Sequence, residues 1–175
     1  TSSAVGGGST LDAPVLDILG RARSAPYDIG AFKQVDAALL PPYQQWLLAN
    51  GLPSDGSGSG MQDQDPLGDG VANEMKYALG LTLATRGYGG RLSQGLINVA
   101  GSRYMSLTYI RPEPAPSGAT YSVKAGPDLG GWTEGDTVQV SSSVAGGLRT
   151  TVVRDIRPVG AAHPRRFMRL EASVP

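Results

Sequence analysis

From Asp63 to Gly80 the chain reads DQDPLGDGVANEMKYALG, with oxygen-bearing side chains at alternate positions, a glycine at the tight point and an apolar helical run behind it. These residue types at this spacing suit a hard cation, because calcium takes carboxylate, amide and carbonyl oxygens from alternate positions of a short loop that leads into a helix. Counted from Asp65, the loop offers Asp65 at position one, Asp69 at five, the Val71 carbonyl at seven and Asn73 at nine, with Leu67 at three and Lys76 at twelve. Leu67 brings no oxygen, and an ammonium at position twelve repels a divalent ion where a bidentate carboxylate would grip it. Counted from Asp63, Asp65 falls at three, Gly68 at the turn, Asp69 at seven and Glu74 at twelve, while Leu67 takes position five. Calcium is the cofactor to which these registers point, with Asp63, Asp65, Asp69, Val71, Asn73 and Glu74 as its candidate ligands. The other reading of the same residues is a polar turn that caps a helix, with the charge of Asp69 near the positive end of the helix dipole.

Catalytic groups are sparse. The single histidine, His163, precedes a proline in VGAAHPRRF, and there is no GxSxG elbow to present a serine nucleophile. The carboxylates between residues 55 and 74 could supply a glycosidase pair, but clustering in a glycine-rich loop favours a cation or solvent over a shaped acid and base. Phosphate-cradling loops, dinucleotide fingerprints and zinc spacings are absent from the sequence. With no cysteine, disulfides and thiol chemistry are excluded, and a formal net charge of zero provides no long-range field toward nucleic acid or an anionic membrane.

Binding chemistry is better represented. Sugar rings stack their apolar faces on exposed aromatic side chains. Trp132 follows a Gly-Gly turn in PDLGGWTEG, and Tyr88 in RGYGGR and Tyr104 are further candidates. Arg165, Arg166 and Arg169 form a basic cluster that suits an acidic glycan such as a uronate polymer. Strand alternation places Arg165 and Arg169 on one face, where Glu171 and Glu113 could pair with them. A small β domain also needs aromatic core, and the weight of that requirement makes Trp132 a core residue in the first instance. Trp46, on the apolar face of a helix, is expected in the core as well.

The elements that would position these groups fall in three parts. Residues 1 to 36 begin with a flexible Gly/Ser stretch and continue as an extended segment. Residues 37 to 90 are helical around the acidic loop. Ala38 to Asn50 carries Leu39, Leu40, Tyr43, Trp46, Leu47 and Leu48 at spacings of three and four, with Pro41 and Pro42 in its first turn and Gly51 at its end. A second helix runs from about Val71 to Leu79 and stops at Gly80, and Trp46, Leu47, Met75, Tyr77 and Leu79 could pack the two helices together. Residues 91 to 175 alternate as strands at Tyr104 to Arg111, Thr120 to Lys124, Thr137 to Val140, Leu148 to Val153 and Arg166 to Ala172. Glycine, with 25 residues, and proline, with 13, separate these runs, as in an antiparallel β-sandwich of five or six strands. The fold expected is therefore mainly β, a small antiparallel sandwich preceded by a two-helix, calcium-loop-like segment. No apolar run is long enough for a membrane span and no signal peptide is visible. The start at Thr1 reads as a processed product or a piece of something longer.

The segment DPLGDGVANEMKYALG, residues 65 to 80, resembles the acidic-loop-plus-helix element DPDGDGxSNxxEYALG found near the C-termini of large exported proteins of Verrucomicrobia-type bacteria. LTYIRP at 107 to 112, TYSV at 120 to 123, DLGGW at 128 to 132, VRDIRP at 153 to 158 and RRFMRL at 165 to 170 follow in the order of the sandwich that accompanies that element. Leu67 and Lys76 depart from it where the family carries acidic residues. RSAPYDIGAF, residues 23 to 32, is similar to the closing segment of right-handed parallel β-helix proteins, many of which bind or act on polysaccharides. The resemblance implies a non-catalytic C-terminal accessory module, secreted or on the cell surface, that binds polysaccharide or cell-envelope glycan and is joined to the remainder of a longer β-helix protein. The alternative it implies is a structural cap, or a processed C-terminal subunit, of such a β-helix protein, whose missing part could degrade polysaccharide.

Overall fold

In both helices the chain reverses through the same device. The first, α1 (Pro42–Ala49), begins with Pro42 in its first turn, where the missing N–H costs no bond. At its end Gly51 takes a positive φ of 72°, its N–H donates to the Leu48 carbonyl at 3.1 Å, and the Leu52 N–H donates to the Leu47 carbonyl at 2.9 Å. The second, α2 (Asn73–Ala78), ends identically: Gly80 has a φ of 66°, its N–H reaches Tyr77 at 2.9 Å, and Leu81 reaches Lys76 at 2.8 Å. Both are Schellman closures, which satisfy the last carbonyls and need a residue at ease in the left-handed region. Gly80 is required twice over, since a Cβ there would also run into the Pro112 ring. Both helices are shorter than expected, because Ala37–Leu39 forms a separate 3₁₀ turn and Val71 and Ala72 precede α2.

The computed structural model describes residues 37–175 together with Gly7, Leu16 and Arg23. The extended segment expected over residues 1 to 36 lies, apart from those three positions, outside the described residues. The chain divides into two compact units, Thr1–Leu40 and Pro41–Pro175, and the second carries all the strands among the described residues. The boundary expected at residue 90 runs through the interior of that unit.

Its strands are β1 (Leu92–Val99), β2 (Ser102–Pro112), β3 (Thr120–Gly126), β4 (Thr137–Ala145), β5 (Leu148–Asp155) and β6 (Phe167–Ser173). One antiparallel sheet has the order β1-β2-β5-β4, and β3 and β6 form a second, two-stranded antiparallel sheet. Two-residue turns close β1 onto β2 at Ala100-Gly101 and β4 onto β5 at Gly146-Gly147, with positive φ at all four positions, the geometry that matches strand twist. Strand β1 has no counterpart in the alternation read from sequence. It is an edge strand exposed along most of its length, so neither face had to be apolar.

Leu107 of β2 and Val153 of β5 meet Val123 and Ala125 of β3 and Met168 and Leu170 of β6, so both sheets share one core. Leu79 and Leu81, which follow α2, belong to that core and fasten the helical segment to the sheets. A second cluster joins Tyr43, Leu47 and Leu52 to Tyr77, Ala78 and Val174. Trp46 packs against it, stacked on Tyr43 and edge-on to Tyr77, and donates its indole N–H to the Leu81 carbonyl at 2.8 Å. The helices thus meet through Leu47 and Tyr77 as expected, whereas Leu79 and Met75 turn to the sheets. Tyr121 touches both clusters and donates its hydroxyl to the Ala78 carbonyl.

Candidate functional site

The acidic loop is built around a lysine. Lys76 is fully buried, and its Nζ lies 2.7 Å from Asp69 Oδ2 and 2.7 Å from the Thr85 carbonyl. Asp69 Oδ2 also accepts the Gly87 N–H at 2.8 Å, and Oδ1 accepts the Val71 N–H at 3.2 Å. The Lys76 ammonium foremost, then these N–H groups, hold the Asp69 carboxyl below its ordinary range. Asp65 closes the preceding turn by accepting the Gly70 N–H on Oδ2 at 2.6 Å. Asn73 is fully buried and donates its amide hydrogens to the Ser59 and Met61 carbonyls at 2.8 and 2.9 Å. The remaining oxygens, Asp65 Oδ1 and Asn73 Oδ1, are buried and accept no hydrogen bond from the described residues.

The candidate cation ligands fall into two groups, and the Asp63 register is split between them. Asp65, Asp69 and Asn73 belong to the turn fastened by Lys76, whereas Asp63 and Glu74 line a cleft of about 740 Å³ with Tyr43, Asp55 and Gln62. Burial first, and then the neighbouring Asp63 charge, raises the Glu74 carboxyl. Burial together with Glu74 and Asp63 pushes the Tyr43 phenol up to about 12. Among the described residues no three His, Cys, Asp or Glu side chains converge as a metal-binding group.

A second constellation forms on the solvent side of the β3–β6 ribbon. Val123, Ala125, Met168 and Leu170 point to the core, so alternation turns Thr120, Ser122, Lys124, Arg169, Glu171 and Ser173 outward. Thr120 and Ser173 share a hydroxyl hydrogen bond at 2.9 Å, and Glu171 pairs with Lys124 at 2.6 Å and with Arg169. Lys124 foremost, with Arg169, keeps the Glu171 carboxyl low. Together with Tyr121 and Glu134, parts of this face line a shallow depression of about 330 Å³.

Trp132 borders the ribbon. Asp128 Oδ1 accepts the Gly130 and Gly131 N–H groups at 2.8 and 2.7 Å, folding DLGG into a tight turn, and the Trp132 indole donates to the Leu129 carbonyl at 2.8 Å. Gly126 backs this turn so closely that a Cβ would collide with the Gly131 carbonyl. Paired N–H···O bonds between Ala125 and Thr133 close the base. The half-buried indole belongs to neither core cluster, contrary to its expected core role, and it lies against the Arg169 guanidinium at 4.6 Å from the ring centroid.

Comparison with protein-family models, with curated proteins and with solved structures finds no match.

Of the five proposed ligand-binding side chains, Trp132 and Arg169 come together and the others do not. Tyr88 packs half-buried against the shared core. Tyr104 lies under the Arg154 guanidinium, 4.5 Å from its centroid. Arg165 precedes β6 instead of lying on it, and it borders a different shallow cavity with Gln94, Leu96 and Phe167. Glu113 pairs with Arg149 at 2.6 Å and Arg111 at 3.0 Å, away from the arginines expected for it. Arg166, read as a member of a surface cluster, is buried in an ion-pair network with Asp155 and Asp136. His163 bridges Gly160 through its backbone. Lys124, which completes the ribbon's charge ladder, was not singled out in the sequence. Its signal was its place in the alternation of β3, opposite Arg169.

Proposed function

We propose that Pro41–Pro175 is a non-catalytic binding module of an exported bacterial protein, in which the two sheets act as a small β-sandwich and the outer face of the β3–β6 ribbon receives a polysaccharide. The observation that carries this reading is a continuous row of hydroxyl and charged side chains, Thr120, Ser122, Lys124, Arg169, Glu171 and Ser173, ending at the half-buried ring of Trp132. Such a row offers donors and acceptors at strand spacing to the hydroxyls of an extended glycan, and the indole offers an apolar surface for one sugar face. Arg169 and Lys124 suit the carboxylates of a uronate chain, with Glu171 holding both cations in place. The segment on which a β-helix cap would rest, residues 23 to 35, lies outside the described residues apart from Arg23.

The test is titration calorimetry against neutral and acidic polysaccharides. One acidic glycan is expected to bind, and Trp132→Ala is expected to weaken it by roughly tenfold, the size of a lost stacking contact. Arg165→Ala, away from the ribbon, is expected to leave binding unchanged. A panel without heat from the folded protein, or equal loss from both variants, would remove the ribbon as the site.

A further inference from the structure

We infer that the Lys76 ammonium takes the place of a bound divalent cation in the acidic loop, so that the segment from Asp65 to Gly87 is ordered without metal. Lys76 occupies position twelve counted from Asp65, where loops of this pattern grip the ion with a carboxylate. Its chain instead runs inward, and Nζ bonds Asp69 at position five and the Thr85 carbonyl, both at 2.7 Å. A cation in such a loop draws acidic oxygens and backbone carbonyls to one point, and the ammonium gathers one of each. It thereby ties the turn before α2 to the turn at Thr85–Gly87, with the Gly87 N–H completing the Asp69 shell.

Charge points the same way. Leu67 and Lys76 stand where the acidic pattern has carboxylates, so the loop has two fewer negative groups and one more positive group than that pattern. An ion bound to Asp69 would have to displace the ammonium or lie beside it. At about 4 Å a unit charge repels a divalent one by about 8 kcal/mol even with an effective dielectric of ~20. Asp65 Oδ1 and Asn73 Oδ1, at positions one and nine, are the buried side-chain oxygens that accept no hydrogen bond among the described residues.

Thermal unfolding of the full chain in calcium and in chelator tests this. The wild-type midpoint is expected to be the same in both, and Lys76→Met is expected to lower it by roughly 10 °C in both, as for a buried charge left unpaired. Leu67→Asp combined with Lys76→Glu restores the acidic pattern and is expected to convert the protein to one that calcium stabilises and chelator destabilises. This double variant decides the matter even if Lys76→Met does not fold. A wild-type midpoint that falls in chelator and recovers in calcium would overturn the inference, as would a double variant indifferent to calcium.

Discussion

Replacing Arg166 by alanine is expected to cost about 3–5 kcal/mol of unfolding free energy, the largest loss foreseen for a single side chain in this protein. Arg166 leads into β6 and sends its guanidinium inward, where Nε and Nη2 donate to the two oxygens of Asp155 at 2.6 and 3.0 Å. Nη2 also reaches Asp136 at 2.9 Å, so one arginine joins the end of β5, the start of β6 and the 3₁₀ turn before β4. Asp155 is fully buried and also accepts the Arg157 N–H at 2.8 Å. Without Arg166 that carboxylate remains enclosed and uncompensated, a condition far costlier than the net value of the pair. Exchanging both partners for apolar residues, Arg166→Met with Asp155→Leu, is therefore expected to recover much of the loss. Chemical denaturation of the single and double variants measures the difference. An Arg166→Ala loss under 1 kcal/mol would refute the account.

The same network predicts a direction for acid sensitivity. Asp136 has its carboxyl lowered, chiefly by the Arg166 hydrogen bond and also by the Arg157 charge. A group with a lower pKa in the folded chain contributes stability that is present above its unfolded pKa, near 4, and is lost as pH falls through the folded value. Stability is expected to decline on acidification below about pH 4, and Asp136→Asn should flatten that decline.

Leu107→Ala is expected to cost about 2–5 kcal/mol. Leu107 is fully buried in the core that takes residues from both sheets and from the segment after α2, so the cavity would open where three elements meet. Leu96→Ala on edge strand β1, where the side chain is 53% exposed, is the matched control and should stay within about 0.5 kcal/mol. Equal effects from the two would contradict the shared core.

What the sequence discloses is largely local chemistry. Pro42 and Gly51 around α1, Gly80 after α2, and Gly146-Gly147 between β4 and β5 announce their roles because glycine and proline restrict or free φ wherever they stand. The alternation of β2, β3, β5 and β6 is readable because one side of each faces a core. Strand β1 is hidden by exposure, and the setting of Trp132 is hidden because a ring within a glycine-rich turn has no periodicity to declare its side. Lys76 is visible as a departure from an acidic pattern, but its Thr85 partner is a backbone carbonyl and leaves no trace in residue type. Arg166 is hardest to read. Its partners lie 11 and 30 residues away, at a range where only folded topology creates proximity.

Tyr121 gives the molecule a property that its separate clusters do not suggest. Its ring stacks on Tyr109 at 5.9 Å, its hydroxyl holds the last turn of α2, and it touches both apolar groups. The helical stretch is consequently not a detachable leader. A fragment trimmed to begin at Arg91 would strip Leu79 and Leu81 from the interior and leave Tyr121 exposed on one side, so the unit is expected to fold only with the chain back to the first turn of α1.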